Sequence, residues 1–229
     1  GTGGKTVTNF SATIPLYLEA EAVVVQPDSK IVTIGRVGGG TRLSSLSAIF
    51  RYNQDGSPDT SFDHDGLAII KISPVFNASS IARQPDDKIV VAGCVTYPFA
   101  NPDFALARYN ANGSLDKSFD GDGIVTTSIG DYAEAQSVAV QANGRIVVAG
   151  YSIGQFSPGV TNVIAIVRYN MDGSLDNSFD ADGIVTTIFG SYSVANSVAI
   201  QADDKIVVAG QSNNGFITAR YNAEGSLDN

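Results

Sequence analysis

Along this chain, apolar runs of about five residues alternate with polar segments rich in Gly, Asn and Asp. The clearest series begins with Ser137–Gln141 (SVAVQ), turns through Ala-Asn-Gly, and continues with Arg145–Gly150 (RIVVAG). A loop of irregular composition follows, then Val163–Asn170 (VIAIVRYN), a polar loop, and Gly183–Phe189 (GIVTTIF). The runs are short, rich in β-branched residues and bounded by turn formers, and none holds a helical period beyond a turn or two. Each therefore predicts a strand. The IVVAG run is apolar at consecutive positions, which predicts a strand covered on both faces.

The same series occurs four times. KIVTIG starts at Lys30, KIVVAG at Lys88, RIVVAG at Arg145 and KIVVAG at Lys205, at offsets of 58, 57 and 60 residues. RYN triplets at Arg51, Arg108, Arg168 and Arg220 keep the same spacing. Between Asn110–Thr127 and Asn170–Thr187, 14 of 18 positions are identical. A four-stranded unit repeated this way, each sheet covered by its neighbours, predicts the blades of a β-propeller. A stacked solenoid is the competing arrangement, but its repeats are mostly shorter and usually hold one strand or a helix pair.

These residues resemble the Delta-60 repeat, a bacterial β-propeller repeat of unassigned activity. The resemblance rests on SVAVQ-x-x-x-KIVVAG followed by ARYN-x-x-GSLD-x-SF, and it covers the whole chain. Where that repeat usually has Gly after SF, this chain has Asp63, Asp120 and Asp180. The resemblance implies architecture and a secreted or cell-surface bacterial location; it implies no mechanism.

The expected fold is all-β: a single propeller domain over 1–229, of four four-stranded antiparallel blades. The blades are expected near 19–72, 73–128, 129–190 and 191–229, the last completed by 1–10. That closure follows from GTGGKTVTNF at the start, which aligns with the fourth-strand segment Asp180–Phe189, and RYNAEGSLDN at the end, which stops after a third strand and its turn. Residues 5–10 would then be the closing strand of a monomeric ring. Pairing of two chains into an eight-bladed ring, or a longer array containing this chain, are the alternatives.

Charge narrows the partners. A net charge of −9 leaves no basic footprint for nucleic acid and no attraction to an anionic membrane surface. No apolar run is long enough for a transmembrane helix. The one cysteine, Cys94, excludes an internal disulfide.

The acidic loops raise the question of calcium, which takes six to eight oxygens from a tight turn. Asp63, Asp65, Asp120, Asp122, Asp180 and Asp182 are the candidate ligands. The EF-hand pattern is not met, and Asp-Gly and Asn-Gly equally serve hairpin turns, so a structural role weighs more. The Arg of each RYN would then pair with Asp59, Asp116, Asp176 or Asp228. No cofactor other than calcium is expected.

Catalytic signals are weak. The single His64 lies in one turn, and no spacing supplies partners for a nucleophile. Glu19, Glu21 and Glu134 could pair as acid and base for glycoside hydrolysis, which stands as the alternative function. The main expectation is a non-catalytic adhesion or scaffold module binding protein or glycan. Its binding face would be the one carrying the second-to-third-strand loops and the blade-to-blade loops, because variation among copies concentrates there. One aromatic recurs in each blade-to-blade loop, Tyr17, Phe76, Tyr132 and Tyr192, and the variable loops add Tyr97 and Tyr151. These six could stack on a ligand, or plug the gaps between blades. Gln26, Gln84, Gln141 and Gln201 should bond neighbouring backbone near the opposite mouth.

Overall fold

The computed structural model describes residues 4–7, 16–39, 45–72, 75–97 and 100–228, and every regular element among them is a strand. Blade 1 comprises β1 (Leu16–Val25), β2 (Ile31–Gly39), β3 (Ser45–Tyr52) and β4 (Leu67–Ile69). Blade 2 comprises β5 (Val75–Arg83), β6 (Ile89–Tyr97), β7 (Ala100–Tyr109) and β8 (Ile124–Thr127). Blade 3 comprises β9 (Tyr132–Val140), β10 (Ile146–Ile153), β11 (Asn162–Tyr169) and β12 (Ile184–Thr187). Blade 4 comprises β13 (Ser193–Ile200), β14 (Ile206–Ser212) and β15 (Gly215–Tyr221). All pairings are antiparallel between sequence neighbours, giving three four-stranded sheets and one three-stranded sheet. This is the architecture of a four-bladed β-propeller.

The double apolar pattern of IVVAG now has its cause. Ile89 and Val91 enter the core between blades 1 and 2, while Val90 and Ala92 enter the core between blades 2 and 3. One blade on, Ile146 and Val148 face the second core, and Val147 and Ala149 face the third, between blades 3 and 4. Burying each Val or Ile contributes roughly 1.5–3 kcal/mol. The second strand is thus the shared wall of two seams.

Polar hooks lock each seam. Arg108 Nε lies 2.7 Å from Asp116 Oδ2, its guanidinium covers the Phe119 ring at 4.5 Å, and Nη2 donates to Ser118 at 3.2 Å. Its remaining nitrogen donates to the Met171 carbonyl of blade 3. Arg51 reaches the Ala111 carbonyl and Arg168 the Ala223 carbonyl in the same way, each paired with its own aspartate, Asp59 and Asp176. The Lys that opens KIV joins the same cluster, Lys88 standing 3.1 Å from Asp116. Motif residues scattered over about thirty positions therefore meet at one point. Burial opposes ionisation of Asp116, but hydrogen bonds from Ser118 and the charges of Lys88 and Arg108 outweigh it and hold the carboxyl at about 2. The expected Arg–Asp pairing is present in all four units.

The turns follow the same logic. The amides of Asp63, Asp120 and Asp180 donate to the carbonyls of Asn112, Asp172 and Glu224 in the following blade. Gly113, Gly173 and Gly225 have positive φ, and a Cβ on Gly173 would stand 3.0 Å from Val125 Cγ2 of the preceding blade. Glycine is needed there for conformation and for closeness at once.

Two differences from the expected arrangement stand out. The segments expected as blade-to-blade loops, such as Gly130–Gln136, are largely strand, because each first strand runs through a bulge and continues. The closing strand expected over residues 5–10 falls partly on residues 8–10, outside the described residues, and the fourth sheet has three strands among those described. Thr6 donates its hydroxyl to the Gly56 carbonyl of blade 1 at 3.0 Å.

Candidate functional site

Each first strand carries one extra residue. The ladder between first and second strands shifts between Ala20 and Ala22, between Ala78 and Ser80, opposite Ala149 and Gly150, and between Ala195 and Ser197. The residues left out of the ladder are Glu21, Ser79, Gln136 and Asn196. Opposite each bulge stands the glycine that ends the IVVAG-type run. A Cβ on Gly35, Gly93, Gly150 or Gly210 would lie 1.9–2.3 Å from the carbonyl oxygen of Glu19, Asn77, Glu134 or Val194. Only glycine admits that carbonyl, so the repeated glycine and the bulge are one device. A bulge re-aims the side chains beside it. The first strands also pack on one another, β1 on β5, β5 on β9 and β9 on β13, so the redirected residues face a common centre.

There they line a cleft of about 600 Å³. Glu21, Ser79 and Gln136 from the bulges meet Arg36, Asn77, Cys94, Thr96, Pro102, Tyr132 and Glu134. Arg36 Nε and Glu21 Oε1 approach to 3.0 Å, yet neither atom completes an aligned hydrogen bond, and both atoms are buried. Across from them, Tyr132 donates its hydroxyl to Glu134 Oε1, and Gln136 donates to Glu134 Oε2 at 3.4 Å. The Tyr132 and Tyr151 rings stack with centroids 6.0 Å apart at 24°. Burial, then the Glu134 carboxylate, pushes the Tyr132 phenol up to about 12. Burial and the same carboxylate raise the Cys94 thiol to about 11, so it is no thiolate nucleophile near neutral pH.

The six aromatics singled out in the sequence divide. Tyr132 and Tyr151 come together at the cleft, and Tyr192 is half-buried at the blade 3–4 boundary, bridging Asn162. Phe76 is buried in the core between blades 1 and 2. It pairs with Val95 where Tyr132 pairs with Ile153 at the end of its ladder, so Phe76 sits one step out of register with the tyrosines. Tyr17 pairs with Gly38, and Tyr97 ends β6; the side chains of both lie outside the described residues. Arg36, Asn77, Thr96 and Gln136 join the cleft without standing out in the sequence. They flank the repeated Ala-x-Ser and Ala-Gly steps at positions that differ from copy to copy, and that contrast is the one signal the sequence holds for them.

The aspartates serve the turns. Asp65, Asp122 and Asp182 accept from the amides of Leu67, Ile124 and Ile184 at 2.8–2.9 Å. Asp63, Asp120 and Asp180 have positive φ and donate across the seam as described. Among the described residues no group of three His, Cys, Asp or Glu gathers as a metal site. Gln84 donates to the Gly144 carbonyl at 3.0 Å, and Gln141 reaches Asp204, as backbone-bonding glutamines should.

A family described as "Domain of unknown function (DUF5122) beta-propeller" matches residues 26–62, 84–119, 141–179 and 201–229. No curated protein matches the chain. Among solved structures, Kuenenia stuttgartiensis hydrazine synthase matches 95% of this chain and 31% of its own, at 14% identity and a TM-score of 0.51. The likeness is one of fold, and the chain spans about a third of that protein's length. A hypothetical protein from Leishmania major matches at 11% identity, covering 93% of this chain and 89% of its own, with a TM-score of 0.34. MPT-4, a mannose phosphorylase from Leishmania mexicana, matches at 9% identity, covering 93% and 87%, with a TM-score of 0.31.

Proposed function

The chain belongs to the DUF5122 β-propeller family, and we propose that it is a non-catalytic recognition module binding a hydroxyl-rich ligand, a glycan or a polar peptide segment, in the bulge-lined cleft. The observation that supports this most is the gathering, around one cleft, of polar side chains that differ from copy to copy. At the Asx-turn end, Arg51, Arg108 and Arg168, their aspartates and Gln84 are engaged in the seams. At the cleft, the Arg36–Glu21 ion pair stands with Asn77, Thr96, Glu134 and Gln136, and Tyr132, backed by Tyr151, offers an aromatic face beside them. Pockets of this kind combine a platform with a few convergent polar groups. The likeness of the KIVVAG and RYN-x-x-GSLD spacing to the Delta-60 repeat supports a secreted or surface-exposed bacterial location for the module.

A glycan and peptide array probed with the whole chain tests the assignment. Binding should fall at least tenfold in Arg36→Ala and Glu134→Gln, both melting like the parent, and persist in Lys117→Ala at the opposite end. Binding that tracks Lys117 instead refutes the cleft. Turnover of a glycoside that disappears with Glu134→Gln would make the protein a hydrolase.

A further inference from the structure

The outer strand of blade 1 departs from those of blades 2 and 3 at two positions of one face. Ala68 in β4 holds the place of Val125 in β8 and Val185 in β12, and Ile70 holds the place of Thr127 and Thr187. In the later joints that face closes the seam. A Cβ on Gly173 would stand 3.0 Å from Val125 Cγ2, and one on Gly225 would stand 3.1 Å from Val185 Cγ2. The Tyr169 hydroxyl lies 2.7 Å from that of Thr127, and Tyr221 donates to Thr187 at 2.8 Å. The tyrosine of each of these RYN triplets thus finds its polar partner on the preceding blade.

Between blades 1 and 2 both contacts are gone. Ala68 has no Cγ methyls to lay on Gly113, whose nearest neighbours are the backbone and Cβ of Asp63 and the Phe62 ring. Ile70 offers no oxygen, so among the described residues the Tyr109 hydroxyl has no hydrogen-bond partner, although Tyr109 is only 4% exposed. A pocket of about 400 Å³ opens in their place. Tyr109 and Ala68 line it, Leu67, Ile72 and Leu115 add apolar walls, and the exposed Asp63, Asp65 and Lys71 stand at its margin. Burial, then the Asp63 charge, raises the Tyr109 phenol well above its ordinary range, so it keeps its proton at neutral pH and can donate. A buried donor without a partner is costly, and a ligand that brings an acceptor relieves that cost.

We propose that this pocket binds a small uncharged molecule with an apolar body and one hydroxyl, an alcohol or a phenol. The apolar walls take the body. The ligand's hydroxyl oxygen accepts from Tyr109, in the place that Thr127 and Thr187 fill in the later joints. Asp63 and Asp65 against Lys71 turn away an anionic ligand, and the apolar walls would leave a buried cation's other donors unpaired. The site shares no residue with the cleft: it is built from β4 and from the end of β7 with the turn that follows, whereas first and second strands supply most of the cleft.

Calorimetric titration of the whole chain with 4-methylphenol, and with toluene as the same body without the hydroxyl, tests both halves of the proposal. 4-Methylphenol should bind saturably, and toluene roughly fivefold more weakly, the equivalent of one hydrogen bond. Ala68→Val installs the residue of blades 2 and 3 and should remove saturable binding of both probes. Ile70→Thr gives Tyr109 an internal partner and should bring 4-methylphenol down to the affinity of toluene. Tyr109→Phe, which keeps the ring, should equalise the two probes in the same way if Ile70→Thr folds poorly by circular dichroism. Absence of saturable binding, equal affinities for the two probes in the parent, or binding that survives Ala68→Val overturns the proposal. So does binding that is lost in Arg36→Ala, which would assign the probes to the cleft.

Discussion

Replacing Gly150 by alanine tests the link between the repeat motif and the cleft. Gly150 lies in ordinary strand backbone, so alanine faces no conformational penalty there. Its Cβ, however, would fall 2.0 Å from the Glu134 carbonyl oxygen and 3.0 Å from Ala135 Cα. Both are backbone atoms of a paired strand and cannot swing aside. Overpacking of this kind costs about 1–3 kcal/mol, and displacing the bulge puts ladder hydrogen bonds worth about 1 kcal/mol each at risk. Loss of glycine's freedom in the unfolded chain offsets about 0.4–1 kcal/mol. The net is about 3 kcal/mol, or a fall of roughly 6–12 °C in Tm for a domain of this size. Gly121 is the control: its φ is +85°, but nothing lies within 4 Å of where an added Cβ would stand, so alanine there costs only the left-handed strain of about 1–2 kcal/mol. Thermal and urea unfolding followed by circular dichroism should rank Gly150→Ala as the more damaging change. A Gly150→Ala protein as stable as Gly121→Ala would refute the argument, because the carbonyl could not then be where the bulge puts it.

Two further outcomes follow from the seams. Arg168→Ala should cost about 3 kcal/mol by removing the closest partner of buried Asp176, which keeps only Arg145 at 3.3 Å, and Arg220→Ala about 0–1 kcal/mol; equal urea midpoints would show that the hook to the next blade is idle. Asp116, depressed to about 2 in the fold against about 3.9 unfolded, contributes about 2 kcal/mol that is fully present above pH 4 and lost as pH falls through 2, with Asp59 and Asp176 shifted the same way. Urea midpoints should therefore drop between pH 4 and 2, and a flat profile there would contradict the pairing.

The fold was legible because its cause is periodic. Ile89 through Ala92 must be apolar at every step when alternate residues enter different seams, and that leaves a run no half-exposed strand would show. The Arg108–Asp116 pair was legible for the same reason, since both members recur at fixed spacing. The cleft was less so. A bulge adds one residue without changing composition, and the alternation on either side of Gln136 gives no sign that the strand continues through it. That single residue shifts register, and a one-step slip sends a side chain to the other face. Phe76 differs from the tyrosines for another reason: both strands share the bulge, but Phe76 stands 17 residues before Gly93 where Tyr132 stands 18 before Gly150, so it falls on the other face and enters a core. Glu21 stands out as a carboxylate, but its pairing with Arg36 does not, because it crosses between strands at positions without counterparts in the other copies.

The aim of the arginine hook has a consequence for how such chains can grow. Arg51, Arg108 and Arg168 each clasp a backbone carbonyl, not a side chain, on the blade that follows. A carbonyl is present whatever residue carries it, and the side chains of Ala111, Met171 and Ala223 take no part. Excising or inserting one entire unit would therefore leave every remaining clasp with an acceptor, whereas a cut inside a unit would separate an arginine from its own aspartate. Copy number is thus a quantity this architecture leaves open, to be counted in whole blades, while the interior of each blade is closed to such editing.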